Sequence, residues 1–175
     1  HRSAKALLGI INDIPDFSKI EAGKLTMERV DFDLQEVLDH LANLTGQAAE
    51  DKGVEIMFQV DADIPVSLIG DPLRLGQVLT NLVSNAVQAM EKKGGTLNIR
   101  VINAAEHLVP AQYEVIVADS GPGIPDDIKA RIFEPFVTTN TSGAGLGLAI
   151  TKRIVSAHKG TINLESYPGG TMFHV

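Results

Sequence analysis

The chain is predicted to fold as an α+β two-layer sandwich, a mixed sheet with helices on one face, preceded by one free-standing helix. Two patterns and the composition predict it. Four segments carry apolar residues at helical spacing, and seven shorter runs read as strands. The 175 residues, 44% hydrophobic and 21% charged, suit one globular domain with an appended element.

Residues 3 to about 24 read as a helix through Ala6, Leu7, Ile10, Ile14, Phe17 and Ile20, with Gly23 as its stop. Pro15 predicts a kink or break there, because an interior proline loses a hydrogen bond and clashes with the preceding turn, at about 3 kcal/mol. Residues 26–32 read as a short strand. Asp33-Leu-Gln-Glu36 has the form of a capping box and opens a helix to about Lys52. Residues 54–60 alternate like a strand, and 67–69 form a shorter one.

The next helix, residues 71–90, is DPLRLGQVLTNLVSNAVQAM. Asp71 is a good N-cap, and Pro72 falls where its missing N–H costs nothing. Leu75, Val78, Leu79, Leu82, Val83, Ala86 and Met90 supply a broad apolar surface. Gln77, Asn81 and Asn85 recur every four residues and project from one side. This row fits a solvated stripe as well as a site; if it is covered, its amides need partners.

Gly94-Gly95 turns the chain into a strand at 96–103, and a second, more apolar strand follows at 113–118. Residues 119–147 are rich in Gly, Pro and Thr and are expected to be mostly loop. A helix is expected at 146–158. Strands at 160–166 and 171–175 then flank a turn at Pro168-Gly169-Gly170.

Several function classes are disfavoured. A formal charge of −7 argues against a nucleic-acid surface. The chain has no cysteine, hence no disulfide framework and no thiolate chemistry, which is compatible with a cytoplasmic domain. No His/Cys cluster has zinc-site spacing, and no apolar run has membrane-spanning length. Both ends read as cut from a longer protein, so membrane anchoring of the parent stays open.

Three motifs carry chemistry. Asp119-Ser-Gly-Pro-Gly123 puts a carboxylate at a strand end beside backbone that a flat ligand can approach, although Asp-x-Gly is also a common turn. Gly143-Ala-Gly-Leu-Gly-Leu-Ala opens a helix whose exposed N–H groups suit an anion, and equally fits a plain flexible loop. It is neither a Walker loop nor a dinucleotide fingerprint. Ile132-Phe-Glu-Pro-Phe136, followed by VTTNTS, suggests a mobile lid on an aromatic hinge, or two phenylalanines packed in the core.

In this order and spacing, the Asn-bearing helix, Asp-x-Gly-x-Gly, FEPF and GxGLGL resemble the ATP-binding domain of sensor histidine kinases. That domain belongs to the GHKL superfamily, which also includes gyrase and MutL. The match covers about residues 31–175. The first thirty residues add LLGIINDIPDFSKIEAGKL, similar to the second helix of the kinase dimerisation domain and its linker. The resemblance therefore divides the chain into a dimerisation-domain remnant at 1–25 and a catalytic ATP-binding domain at 26–175.

It implies ATP and Mg²⁺ as cofactors and gives roles to particular residues. Asn85 would hold Mg²⁺, and Asn81 would face the phosphates or the metal's waters; these two are the catalytic candidates. Asp119 would accept the adenine amino hydrogen, with Gly121 and Gly123 keeping the slot open and Thr171 reaching the base through water. Gly143, Gly145 and Gly147 would line the phosphates. A lid at 138–144 would include Thr138, Thr139 and Ala144. Gln88, Ile124, Phe133, Phe136, Leu146 and Leu148 join the nucleotide-binding set through their motifs. In related ATPases a glutamate stands at the Asn81 position as a general base. An amide cannot take up a proton usefully, so phosphoryl transfer to an external imidazole fits better than hydrolysis.

The implied partners are a phosphoacceptor helix, a response-regulator receiver domain and a second copy joined through the N-terminal helix. The chain departs from the pattern at four places. Gln88 and Asn140 stand where a cationic residue is frequent, and Pro15 where the related motif is apolar. No His-Glu-x-x-Thr-Pro motif is present; His1 lies in the wrong context, and His40, His107, His158 and His174 read as surface or packing histidines. A nucleotide-sensing pseudokinase or interaction module is the alternative, and a GHKL ATPase a third reading.

Overall fold

A computed structural model of the chain describes Ser18 and residues 26–104, 112–139 and 143–175. Apart from Ser18, which is helical, the expected first helix with its Pro15 kink, together with His1, His107 and Asn140, lies outside the described residues.

Strand β1 (Val30–Asp33) leads into helix α1 (Leu34–Glu50), then β2 (Val54–Val60) and β3 (Ser67–Gly70). Helix α2 (Pro72–Ala89) is followed by β4 (Gly95–Asn103), β5 (Tyr113–Asp119) and a one-turn helix α3 (Asp126–Lys129). Helix α4 (Gly147–Ala157) and the hairpin β6 (Asn163–Tyr167) with β7 (Gly170–His174) complete the chain. Five strands form a mixed sheet in the order β2-β4-β5-β7-β6, parallel only between β2 and β4. Strands β1 and β3 pair antiparallel in a separate ribbon.

The sheet has one covered face. Leu97, Ile99 and Val101 of β4 and Val115 and Val117 of β5 are buried, whereas the residues between them are not. Above them α2 packs on both α1 and α4, contributing Val78, Leu79, Leu82, Val83 and Ala86 to the core. Leu41 of α1 and Ile150 and Ile154 of α4 close it. The two-layer sandwich expected from the sequence is therefore the observed fold.

Three boundaries move, each for a local reason. The strand expected from residue 26 begins only at Val30, because the Glu28 N–H is taken by Asp71 Oδ2 at 3.0 Å instead of by a neighbouring strand. The strand expected from 160 begins at Asn163. Here the N–H groups of Lys159 and Gly160 close α4 on the Ser156 and Val155 carbonyls, with Lys159 in the left-handed region at φ 63°. The loop expected across 119–147 contains α3, whose Lys129 Nζ is 2.7 Å from Asp126 Oδ1.

Asp71 does two jobs while only 4% exposed. One oxygen caps α2 through the Arg74 N–H, at 3.0 Å, and the other holds Glu28. Asp71→Ala removes a cap and a long-range anchor together, and is expected to cost about 2–3 kcal/mol, read as a lower urea midpoint.

Candidate functional site

The amide row of α2 runs between the two glycine motifs. At one end, a Cβ at Gly147 would touch Asn81, at 3.6 Å from its Cγ. At the other, a Cβ at Gly121 would meet Ala89 Cβ at 3.6 Å and Met90 Cγ at 3.4 Å. Asn81, Asn85 and Ala89 are four residues apart, so both contacts fall on one helix face, about 12 Å apart along the axis. Asn85 lies midway and is half-buried. A ligand along this face would meet Asp119 at one end and the start of α4 at the other.

Asn81 is engaged by α4. Its Nδ2 donates to the Gly147 carbonyl at 3.2 Å and reaches the fully buried Thr151 Oγ1 at 3.4 Å. An amide can donate in this way and a carboxylate cannot. Asn81→Asp is expected to lose the bond to Gly147 and set a charge against that carbonyl, costing about 1–3 kcal/mol in chemical denaturation. Gln77 sits outside the site, its Oε1 accepting from Arg74 at 2.7 Å. Gln88 is exposed at the end of the helix, beside the row and not on it.

Asp119 ends β5 directly opposite Thr171. Its Oδ1 accepts the Gly121 N–H at 2.8 Å. Burial pushes the Asp119 carboxyl above its ordinary value of 3.8, while the backbone N–H groups of Gly121 and Thr171 pull it back. The loop beyond it is shaped by the hairpin: Gly123 has φ 81°, and a Cβ there would collide with the Tyr167 carbonyl. The Ile124 N–H donates to Ser166 Oγ at 2.7 Å.

The two phenylalanines of FEPF part company. Phe133 stacks edge-on to Phe173, centroids 6.3 Å apart, with Lys152 Nζ 5.3 Å from its ring centre. Phe136 is 70% exposed and takes a left-handed backbone at φ 66°, its N–H bonded to the Gly145 carbonyl at 2.9 Å. A Cβ on Gly145 would come within 2.7 Å of Phe136 backbone, so this junction requires glycine. The bond joins the two ends of the segment carrying Thr138, Thr139, Gly143 and Ala144; Thr138, Thr139 and Gly143 are exposed. Leu146 is buried in the core, and Leu148 packs against it, so the Leu146 position can face a ligand only through its backbone.

A groove of about 430 Å³ is lined by residues of the loop after Asp119 and of its neighbours, among them Gly123, Ile124, Lys129, Thr139 and Tyr167. It includes neither Asp119 nor the asparagines, so the candidate site follows the amide row and not this groove. Among the described residues no group of three His, Cys, Asp or Glu side chains could hold a metal, and no helix is long and apolar enough to cross a membrane. His40 and His158 are exposed; His174 is partly buried, its Nδ1 2.6 Å from Glu114 Oε1.

Sequence motifs missed Thr151 and Ser166. Thr151 follows Gly147 by one helical turn, and a two-residue Pro168-Gly169 turn sets Ser166 opposite Thr171. Both were readable as positions, but their partners come from other elements.

The family described as histidine kinase-, DNA gyrase B-, and HSP90-like ATPase matches residues 70–175. The signal transduction histidine-protein kinase BarA of Escherichia coli K12 is 42% identical, over 99% of this chain and 20% of its own length. The chain thus spans about a fifth of the length of the curated relatives it matches. Full-length ShkA in complex with AMPPNP superposes with a TM-score of 0.79 at 33% identity, over 99% of this chain and 36% of that one. The nucleotide-free catalytic domain of histidine kinase ThkA gives 0.71 at 32% identity, over 85% of this chain and 93% of that one. ThkA in complex with the response regulator TrrA gives 0.69 at 27% identity, over 94% and 48%. Because the match runs from the amide-bearing helix to the last strand, and a histidine-kinase catalytic domain is covered almost end to end, the chain belongs to the histidine kinase-, DNA gyrase B-, and HSP90-like ATPase family.

Proposed function

We propose that the chain binds ATP with Mg²⁺ along the amide row of α2 and transfers the γ-phosphoryl group to a histidine on a separate phosphoacceptor helix. From there the group would pass to a response-regulator aspartate. The observation that carries this reading is the single helix face bounded by Gly121 and Gly147, with Asp119 at one end and the N-terminus of α4 at the other.

Each residue has a physical part. Asp119 accepts from an exocyclic amine, and the glycine at 121 admits a flat base; Gly123, expected to keep the same slot open, instead faces the Tyr167 carbonyl and shapes the loop. No side-chain hydrogen bond caps α4 at Leu146, which leaves first-turn N–H groups and the positive helix end for phosphate. Asn85 offers one neutral amide oxygen. That donor fits Mg²⁺, which keeps water and takes its charged ligands from phosphate. When bound, the ion would neutralise charge on the transferring group. Asn81 holds α4 against α2, and as an amide it is no general base for water. Ordered transfer with little hydrolysis follows.

The ShkA complex with AMPPNP supports the nucleotide, and the ThkA–TrrA complex supports a receiver domain as partner. A homodimer through residues 1–25 and the two-domain division at residue 25 complete the proposal. Calorimetry with ATP, with and without Mg²⁺, tests binding, and labelled ATP with a separately supplied acceptor-helix protein tests transfer. Binding without transfer would leave a nucleotide-sensing module; no binding would overturn the reading.

A further inference from the structure

Ser166 lies outside every sequence motif, yet it joins the elements around Asp119. Register sets Asp119 of β5 opposite Thr171 of β7, and Thr171 opposite Ser166 of β6. Residues directly opposite share a face, so three polar side chains stand in one row across three strands. Thr171 is only 6% exposed. The hairpin backbone presses on both ends of the loop that follows Asp119: a Cβ at Gly170 would come within 2.8 Å of the Asp119 carbonyl, and one at Gly123 would collide with Tyr167.

The hydrogen bonds at Ser166 follow from this packing. Its Oγ accepts the Ile124 N–H at 2.7 Å, and its carbonyl accepts from Lys129 Nζ at 2.7 Å. Both bonds fix the residue from the α3 side. The hydroxyl has a single proton, with Thr171 Oγ1 and the Gly170 carbonyl each at 3.4 Å. If that proton goes to Thr171 Oγ1, the Thr171 oxygen is an acceptor toward Ser166, and its own proton is left for the base slot, the Asp119 carboxylate taking the Thr171 backbone N–H instead.

We infer that Ser166 is a specificity-determining positioning residue, which orients the Thr171 proton so that the pocket wall presents an acceptor beside a donor. The inference rests on the nucleotide binding proposed above. Ionised Asp119 accepts and Thr171 donates. Adenine offers a complementary pair, an amino donor next to a ring-nitrogen acceptor, whereas guanine offers the reverse, a keto acceptor next to a ring N–H. One intervening water relays the Thr171 proton with the same polarity. Without the Ser166 hydroxyl, Thr171 can rotate to donate elsewhere or to accept, and the wall no longer distinguishes the two purines. Ile124 also loses the partner of its N–H.

The test is titration of the 175-residue chain with ATP and with GTP in the presence of Mg²⁺, for the unmodified protein, Ser166→Ala and Ser166→Thr. The unmodified chain prefers ATP, and Ser166→Ala narrows the ATP/GTP ratio about tenfold, the worth of one hydrogen bond. Ser166→Thr keeps the hydroxyl and restores the ratio. A merely structural serine would weaken both nucleotides by the same factor, with the ratio unchanged, and that result overturns the inference while leaving nucleotide binding intact. Loss of the ratio in Ser166→Thr to the same extent as in Ser166→Ala also overturns it. An unmodified chain that binds neither nucleotide removes the proposed function and this inference with it.

Discussion

Asn85→Ala lowers phosphoryl transfer to a separately supplied acceptor helix by about 10²–10³-fold, the usual loss when one preorganised group that stabilises transition-state charge is removed. Asn85 lies halfway along the α2 face between Gly147 and Gly121, where a bound triphosphate would pass. Its amide oxygen is the proposed protein ligand for Mg²⁺. Alanine is a better helix former than asparagine, and the position is only half-buried, so the fold should tolerate the change. The urea midpoint is therefore expected to stay put while Mg²⁺-dependent ATP binding is lost. Transfer within tenfold of the unmodified chain would remove Asn85 from the metal site.

Asp119→Asn is expected to weaken ATP binding about 100-fold while leaving the melting temperature equal or higher. The loss combines a charge-assisted hydrogen bond with an amide whose N–H₂ can face the adenine amine, donor against donor. The stability follows from linkage. Burial raises the folded-state pKa of Asp119 above 3.8, so the folded protein holds this proton more tightly than the unfolded chain does. Stability from this group therefore grows as pH falls through the raised pKa toward the ordinary one. Above that window the buried charge is a cost, which asparagine removes. Thermal unfolding of both proteins at neutral pH and near pH 4 checks the sign: any advantage of Asp119→Asn should shrink on acidification. ATP affinity of the unmodified chain should fall over the same acid range, as the acceptor becomes protonated. A lower melting temperature at neutral pH for Asp119→Asn would mean that the carboxylate is structural.

Most elements were legible because their signals are local. Asp71-Pro72 marked the start of α2 to the residue, and the alternation of 54–60 marked β2. The boundaries that moved did so through partners distant in sequence. Glu28 gives its N–H to Asp71, 43 residues away, and no pattern within residues 26–32 announces that. The pairing of β1 with β3 as a separate ribbon belongs to the same class, since period-2 alternation states a face and not a neighbour.

The site divides in the same way. The four-residue recurrence of Gln77, Asn81 and Asn85 is arithmetic on a 3.6-residue helix, so their common face could be read before any coordinates. The carboxylate of Asp119 and the glycines at 121, 123, 145 and 147 were readable as chemistry. By itself, then, the sequence determined the fold class, the family resemblance and the candidate atoms, because each depends on spacing along the chain. The tertiary structure decided their employment. It directed Asn81 toward α4, gave Gln77 to Arg74, sent Leu146 into the core, separated Phe133 from Phe136, and brought Ser166 beside Thr171. Those outcomes depend on which donor meets which acceptor across strands and helices, and burial makes each pairing obligatory once the layers close.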